Sequence, residues 1–120
     1  MLLRNLVKDR MLFFETSVTK GDDCGPRVRI PIIDLNKLKG GWHKFEAYAE
    51  WSHGDDGRFI LYIDGVKYLD YTGPNQTEGW EHNYFQFGIY LCCTRDTDKV
   101  LPSTMYYANV SKAKRREDLK

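Results

Sequence analysis

The sequence predicts an all-β protein built as an antiparallel β-sandwich of the jelly-roll type. Segments of about five to ten residues in which apolar and polar side chains alternate recur along the chain, as expected for half-buried strands. Clusters of Gly, Asp, Asn and Pro separate these segments, and no segment sustains the apolar stripe of an amphipathic helix. The 120 residues therefore predict one sandwich domain over residues 1–110, followed by a charged tail over 111–120.

The N-terminal part of the chain predicts three strands. A first pair covers residues 2–7 and 11–18, joined by a turn at 8–10, and a loop rich in Gly and Asp follows over 19–26. In the third strand, one face carries Val28, Ile30 and Ile32, and the other carries Arg27, Arg29 and Pro31. This strand is expected to have an apolar face and a cationic face, and Pro31 favours an edge or a strand end.

The middle of the chain predicts a long strand and a hairpin. A single helical turn over 34–38 precedes the strand, which covers 42–51. Its inward residues are Phe45, Ala47, Ala49 and Trp51, and its outward residues are Lys44, Glu46, Tyr48 and Glu50. Strands over 58–64 and 66–71 flank Asp64-Gly65, a two-residue turn signal in which glycine supplies the positive φ that a tight hairpin requires.

The C-terminal part predicts two more strands. After a loop over 72–83, residues 84–90 alternate strictly between apolar and polar positions. The apolar side would carry Phe85, Phe87 and Ile89, and the polar side Tyr84, Gln86, Gly88 and Tyr90. Such a strand can anchor a core with one face and line a binding surface with the other. A polar loop over 92–103 then leads to a last strand over 104–110.

Composition argues against several function classes. Eighteen basic and seventeen acidic residues give a net charge of +1, so the molecule as a whole has no strong field for nucleic acid or an anionic membrane. A polyanion would have to be held by a local cluster. No apolar run has the length of a membrane span, and charged residues interrupt the N-terminal stretch where a signal peptide needs an apolar core. Cys24, Cys92 and Cys93 fit neither a disulfide framework nor zinc-ligand spacing, and no metal or other cofactor is expected.

Five groups of residues from position 41 onward occur in an order that resembles one family of enzymes. They are Gly41-Trp42-His43-Lys44-Phe45, Glu50-Trp51-Ser52 with Gly54-Asp55-Asp56-Gly57, Tyr62-Ile63-Asp64-Gly65, Tyr71-Thr72-Gly73-Pro74-Asn75, and Tyr84-Phe85-Gln86-Phe87-Gly88-Ile89-Tyr90. Together they resemble the C-terminal part of the secreted polysaccharide lyases with a concanavalin A-like jelly roll, the group that includes glucuronan lyases and is related to alginate lyases and heparinase. The resemblance covers residues 41–110 well and 1–35 more loosely. It implies a sandwich that is incomplete relative to the full family domain, and an extracellular location, although the chain itself shows no signal peptide.

The resemblance also implies a role for residues 84–90. In these lyases a concave sheet holds the uronic acid chain, and Tyr90 matches the tyrosine that acts as catalytic acid, and can also act as base, in β-elimination between C4 and C5 of a uronate. Tyr84 and Gln86 would line subsites. Gln86 replaces the lysine of the family's Tyr-x-Lys-x-Gly-x-Tyr motif, and the family's upstream Gln-x-His pattern does not occur in this sequence. The alternative for Tyr90 is a phenol whose ring is simply packed.

Further substrate-binding candidates follow from the chemistry of the residues. Abstracting a proton next to a carboxylate requires that the carboxylate be neutralised. Arg27 and Arg29 are the best cationic candidates, and their alternative is an ordinary solvated surface. Lys44 and Tyr48, on the open face of the long middle strand, and His82, in the loop before the last aromatic strand, are candidates for contacting sugar, with a wet surface as the alternative.

Two functions from different classes fit these observations. The first is a polysaccharide lyase that acts on uronic-acid-containing glycans by β-elimination. The second is a non-catalytic carbohydrate-binding β-sandwich module. A third possibility is a gene fragment that folds poorly, because unpaired sheet edges template association. The expected partner is an acidic polysaccharide rather than nucleic acid or a membrane, and the sequence leaves the oligomeric state open.

Overall fold

The computed structural model describes residues 2–6, 11–16, 28–77, 85–88 and 104–119, and for residues 2–6 it describes the backbone alone. The chain divides into two compact units, residues 1–83 and 84–120, and each is described by itself. Six antiparallel strands and two one-turn 3-10 helices make up the regular structure of the described residues. This confirms the all-β prediction, while the single domain over 1–110 stays a prediction.

The first sheet is formed by the N-terminal strands in the order β1-β2-β3. Its strands are β1 (Leu2–Leu6), β2 (Met11–Thr16) and β3 (Val28–Asp34). The predicted pair and third strand are confirmed. The register shifts between Leu12 and Phe13, so Pro31 lies opposite Phe13 whereas Ile33 lies opposite Leu12. Because of this bulge, the buried residue of β3 is Ile33 and not Ile32, which strict alternation predicted.

The second sheet has the order β4-β5-β6. Its strands are β4 (Phe45–Glu50), β5 (Arg58–Ile63) and β6 (Val66–Thr72). Asp64 and Gly65 form the predicted hairpin turn, with φ angles of 51° and 81°. Positive φ at both turn residues matches the right-handed twist of the flanking strands, which is why Asp-Gly is favoured there. The predicted helical turn is also present, as a 3-10 turn at Leu35–Lys37.

The hydrophobic core of the first unit lies between the two sheets. The buried side chains are Leu12, Phe14 and Ile33 from the first sheet, and Phe59, Leu61, Ile63 and Leu69 from the second. The Phe14 ring stacks on Phe59 with centroids 5.0 Å apart, and it lies 5.1 Å from the ring of Tyr71. Burying a side chain of this size contributes about 2–3 kcal/mol. The apolar stripes of β2 and β5 therefore stabilise the partial sandwich.

The side chains predicted to point inward from β4 lie on the core side of the sheet, but Phe45 is not buried. Phe45 and Ala47 lie opposite Ile63 and Leu61, so they share the core side of the sheet. However, Phe45 is 46% exposed. The reason is that Phe14 packs on β5 and β6, and the core of the described residues is centred there.

A buried amide connects the loops at one end of the second sheet. Asn75 is 2% exposed; its Oδ1 accepts from the Ser52 N–H at 2.9 Å, and its Nδ2 donates to the carbonyls of Glu50 and Arg58 at 2.9 and 3.1 Å. A Cβ on Gly57 would lie 2.3 Å from the Gly73 carbonyl oxygen. Only glycine allows this close approach, which brings the loop to the strand ends.

Two predicted strands are wrong where the structure describes them. Residues 85–88 form no strand, all four are exposed, and Gly88 has a φ of 140°. Residues 104–110 are likewise exposed and irregular. Alternation of side chains makes a strand possible, but a strand also needs a neighbour that accepts and donates its backbone hydrogen bonds. No such pairing exists for these residues in the described part of the second unit.

Candidate functional site

Alternation along β2 and β3 places an acid and a base on the outer face of the first sheet. Phe14 faces the core, so its neighbour Glu15 faces the other way. The register puts Glu15 directly opposite Arg29. In an antiparallel pair, directly opposed side chains lie on the same face. Arg29 therefore occupies the cationic face that the sequence predicted for its strand.

The Glu15–Arg29 pair combines a buried anion with an accessible cation. Arg29 Nε donates to Glu15 Oε1 at 2.6 Å, and the exposed fractions of the two side chains are 45% for Arg29 and 1% for Glu15. The Arg29 guanidinium carbon also lies 5.7 Å from the centroid of the Phe13 ring. Both contacts fix the orientation of the guanidinium group.

This arrangement can bind an anion from solvent. Among the described residues, Arg29 uses one N–H for Glu15, and the planar guanidinium has four further N–H donors. Two parallel N–H groups match the geometry of a carboxylate, which makes arginine suited to bidentate recognition. We call this arrangement, formed by Phe13, Glu15 and Arg29, the arginine face.

Lys44 and Tyr48 lie on a different surface. Tyr48 lies opposite Ile60, alternating with the core-side residues of β4, so its side chain is on the outer face of the second sheet. Lys44 precedes β4, and its Nζ lies 3.9 Å from Glu46 Oε2 on that strand. The core of the sandwich separates this surface from Arg29. Arg29 therefore does not share a groove with Lys44 and Tyr48.

Electrostatics also distinguish the surface around Tyr48 from the arginine face. The Tyr48 hydroxyl donates to Glu50, and this hydrogen bond raises the pKa of the phenol above its usual value. A raised pKa leaves a smaller fraction of the phenol ionised near neutral pH. On the same face, Arg58 and Lys67 each lie 3.3 Å from Asp70, so one carboxylate pairs with both cations.

The remaining predicted site residues are either exposed in the second unit or outside the described residues. Gln86 is exposed in the irregular segment 85–88. Arg27, Tyr84, His82 and Tyr90 lie outside the described residues. Their roles stay predictions.

Two histidines near the hairpin and the turn have structural partners. His43 Nδ1 lies 2.6 Å from Asp64 Oδ2, just before β4 begins. His53 Nδ1 lies 3.1 Å from the Gln76 carbonyl oxygen.

Glu15 was not among the predicted site residues. A single acid in the run Met-Leu-Phe-Phe-Glu-Thr resembled a solvated position on the polar face of a strand. The available signal was the arginine on the next predicted strand with the same facing, since a buried carboxylate requires a charged partner.

Metal-binding clusters and long apolar helices are both absent from the part of the chain that the structure describes. No group of three or more His, Cys, Asp or Glu side chains there is arranged to hold a metal ion. No helix formed by the described residues is long and apolar enough to cross a bilayer.

The sequence model of a family described as polysaccharide lyase matches residues 8–111. No curated protein and no solved structure matches the chain.

Proposed function

Because this chain belongs to the polysaccharide lyase family, we propose that it is a lyase-like protein that cleaves uronic-acid-containing glycans by β-elimination, with the arginine face binding the uronate carboxylate. The observation that carries the proposal is the Glu15–Arg29 pair, which holds a half-exposed guanidinium in a fixed orientation. A carboxylate on the sugar is the group whose charge such a cation can neutralise.

The chemistry needs this neutralisation. In β-elimination a base removes the proton on C5, the electron pair forms the C4–C5 double bond, and the C4–O bond breaks. The leaving oxygen takes a proton and becomes a new chain end, while the other product carries a 4,5-unsaturated uronate. Negative charge accumulates on the uronate carboxylate in the transition state, and a preorganised cation lowers the energy of that state.

In this proposal Tyr90 supplies the proton to the leaving oxygen and serves as base, as its resemblance to the family tyrosine implies. Glu15 is a positioning residue that acts through Arg29. Lys44 and Tyr48 belong to a separate surface, so we assign them no part in the reaction.

The test measures the ultraviolet absorbance of the unsaturated uronate during incubation with polyglucuronate or alginate. We expect Arg29→Gln to lower kcat/KM by about a hundredfold, the loss typical of removing one preorganised donor. The matched control is Arg58→Gln, because Arg58 is also paired with an acid and its side chain is 44% exposed against 45% for Arg29. This control should retain wild-type activity.

Tyr90→Phe removes the hydroxyl alone and should abolish turnover. Its matched control is Tyr68→Phe, since Tyr68 is 41% exposed on the second sheet. A folded wild-type protein that binds the polymers but forms no unsaturated product would instead identify a carbohydrate-binding module. Equal losses in the Arg29 and Arg58 variants would contradict the role of the arginine face.

A further inference from the structure

A run of basic residues lies in the second unit, outside the arginine face. Residues 112–116, which we call the basic segment, contain Lys112, Lys114, Arg115 and Arg116 and no acid. The segment therefore concentrates positive charge within a chain whose net charge is only +1. Short stretches rich in lysine and arginine typically bind polyanions.

The cations of the basic segment are accessible. Lys112, Lys114, Arg115 and Arg116 are all exposed, and residues 111–115 form neither helix nor strand. An anion that approaches Lys112 or Lys114 therefore displaces water and counterions rather than a side chain of the described residues. Such binding is favourable at low ionic strength and is screened by salt.

Arg115 differs from the two lysines because it forms ion pairs. The 3-10 turn at Arg116–Asp118 brings Asp118 back onto Arg115, with Arg115 Nε 3.0 Å from Asp118 Oδ2 and 3.7 Å from Glu117 Oε1. Among the described residues, neither Lys112 nor Lys114 has an ion pair or hydrogen bond. These two ammonium groups are therefore available to a ligand, while Arg115 is partly neutralised.

We propose that the basic segment is a second binding site for acidic polysaccharide, at which Lys112 and Lys114 contact carboxylates of the polymer. The identity of the ligand rests on the proposed function, since family membership favours a polysaccharide over other polyanions.

The first experiment compares two lysine pairs of equal spacing. Lys112→Gln/Lys114→Gln is tested against Lys37→Gln/Lys39→Gln, because Lys37 and Lys39 are also exposed and also lack an ion pair among the described residues. Binding of fluorescent polyglucuronate is followed by anisotropy in the Tyr90→Phe background, so that the polymer stays intact. We expect roughly tenfold weaker binding, equivalent to about 1.4 kcal/mol, from the first pair at low salt.

The salt dependence should also become shallower in the Lys112/Lys114 variant, since fewer counterions are released on binding. The Lys37/Lys39 variant should bind as tightly as the parent protein. Equal effects of the two pairs would overturn the proposal, because they would show attraction by overall charge alone.

A second variant is expected to change the affinity for polyglucuronate in the opposite direction. Glu117→Gln/Asp118→Asn removes the acids that neutralise Arg115, so binding of polyglucuronate should become tighter. Unchanged or weaker binding would contradict the ion-pair argument. A single-stranded oligonucleotide of equal charge serves as competitor, and tighter binding of the oligonucleotide than of polyglucuronate would overturn the assignment to polysaccharide.

These measurements separate the two proposals. Binding that depends on Lys112 and Lys114 without any turnover by the wild-type protein would retain the basic segment and reject the lyase. Turnover by the wild-type protein with undiminished binding by the lysine variant would do the reverse.

Discussion

Asn75 shows how a single buried amide can hold several backbone segments. Its side chain accepts one hydrogen bond and donates two, all to main-chain groups. An aspartate of the same shape can accept the first bond but, when ionised, faces two carbonyl oxygens without a donor. Leaving buried acceptors unsatisfied beside a buried charge is strongly destabilising.

We therefore expect Asn75→Asp to lower the free energy of unfolding by about 3 kcal/mol at neutral pH. Urea unfolding followed by circular dichroism measures the change. The control is Asn36→Asp, at an exposed asparagine, which should change the free energy by less than about 0.5 kcal/mol. Similar values for the two variants would show that the Asn75 hydrogen bonds contribute little.

At the residue scale, the sequence predicted Arg29 but not its partner. The alternation of side chains along β3 is enough to predict that Arg29 faces away from the core. The burial of Glu15 depends on pairing between strands and on what covers the sheet, neither of which a local pattern contains. The same reason explains why Asn75 was assigned to a loop without a structural role.

At the scale of elements, the hairpin at Asp64-Gly65 was predictable because its signal is local. Both turn residues require positive φ, and the flanking strands need no other partner to define their register. Residues 85–88 and 104–110 show the opposite case. Residues 85–88 alternate apolar and polar side chains, yet the described residues include no neighbouring strand for them or for 104–110.

The Asp64 carboxylate connects this hairpin to the start of β4. The hydrogen bond from His43 lowers the pKa of Asp64, and a second bond from the Lys44 N–H at 2.9 Å adds to the effect. Because the pKa is lower in the folded state, the ionised carboxylate stabilises the fold above the unfolded pKa of about 4. That contribution is lost as the pH falls through the folded pKa.

Asp64→Asn should therefore make the loss of stability below about pH 4 less steep than in the wild-type protein. Urea unfolding at a series of pH values between about 6 and 2.5 measures the slope. The control is Asp55→Asn, since Asp55 accepts no hydrogen bond among the described residues. If Asp55→Asn changed the slope of stability against pH as much as Asp64→Asn, the Asp64 carboxylate would be excluded as the source of that slope.

At the scale of the whole first unit, Phe14 joins the two sheets through two aromatic contacts. Phe14 is fully buried, and its ring contacts one strand each of the opposing pair through Phe59 and Tyr71. Because β2 alternates, the residue that fills the core is adjacent to the residue that orients Arg29. Packing in the core and geometry on the arginine face are thus set by the same strand.

Phe14→Ala should lower the free energy of unfolding by about 4 kcal/mol, since it removes a buried ring and leaves a cavity between the sheets. Phe45→Ala is the matched control, because Phe45 lies on the same side of the second sheet but is 46% exposed, and it should cost less than about 1 kcal/mol. Urea unfolding gives both values. If Phe45→Ala lowered the free energy of unfolding as much as Phe14→Ala, the core would extend over β4. Phe45 would then be covered, in contrast to its exposure among the described residues.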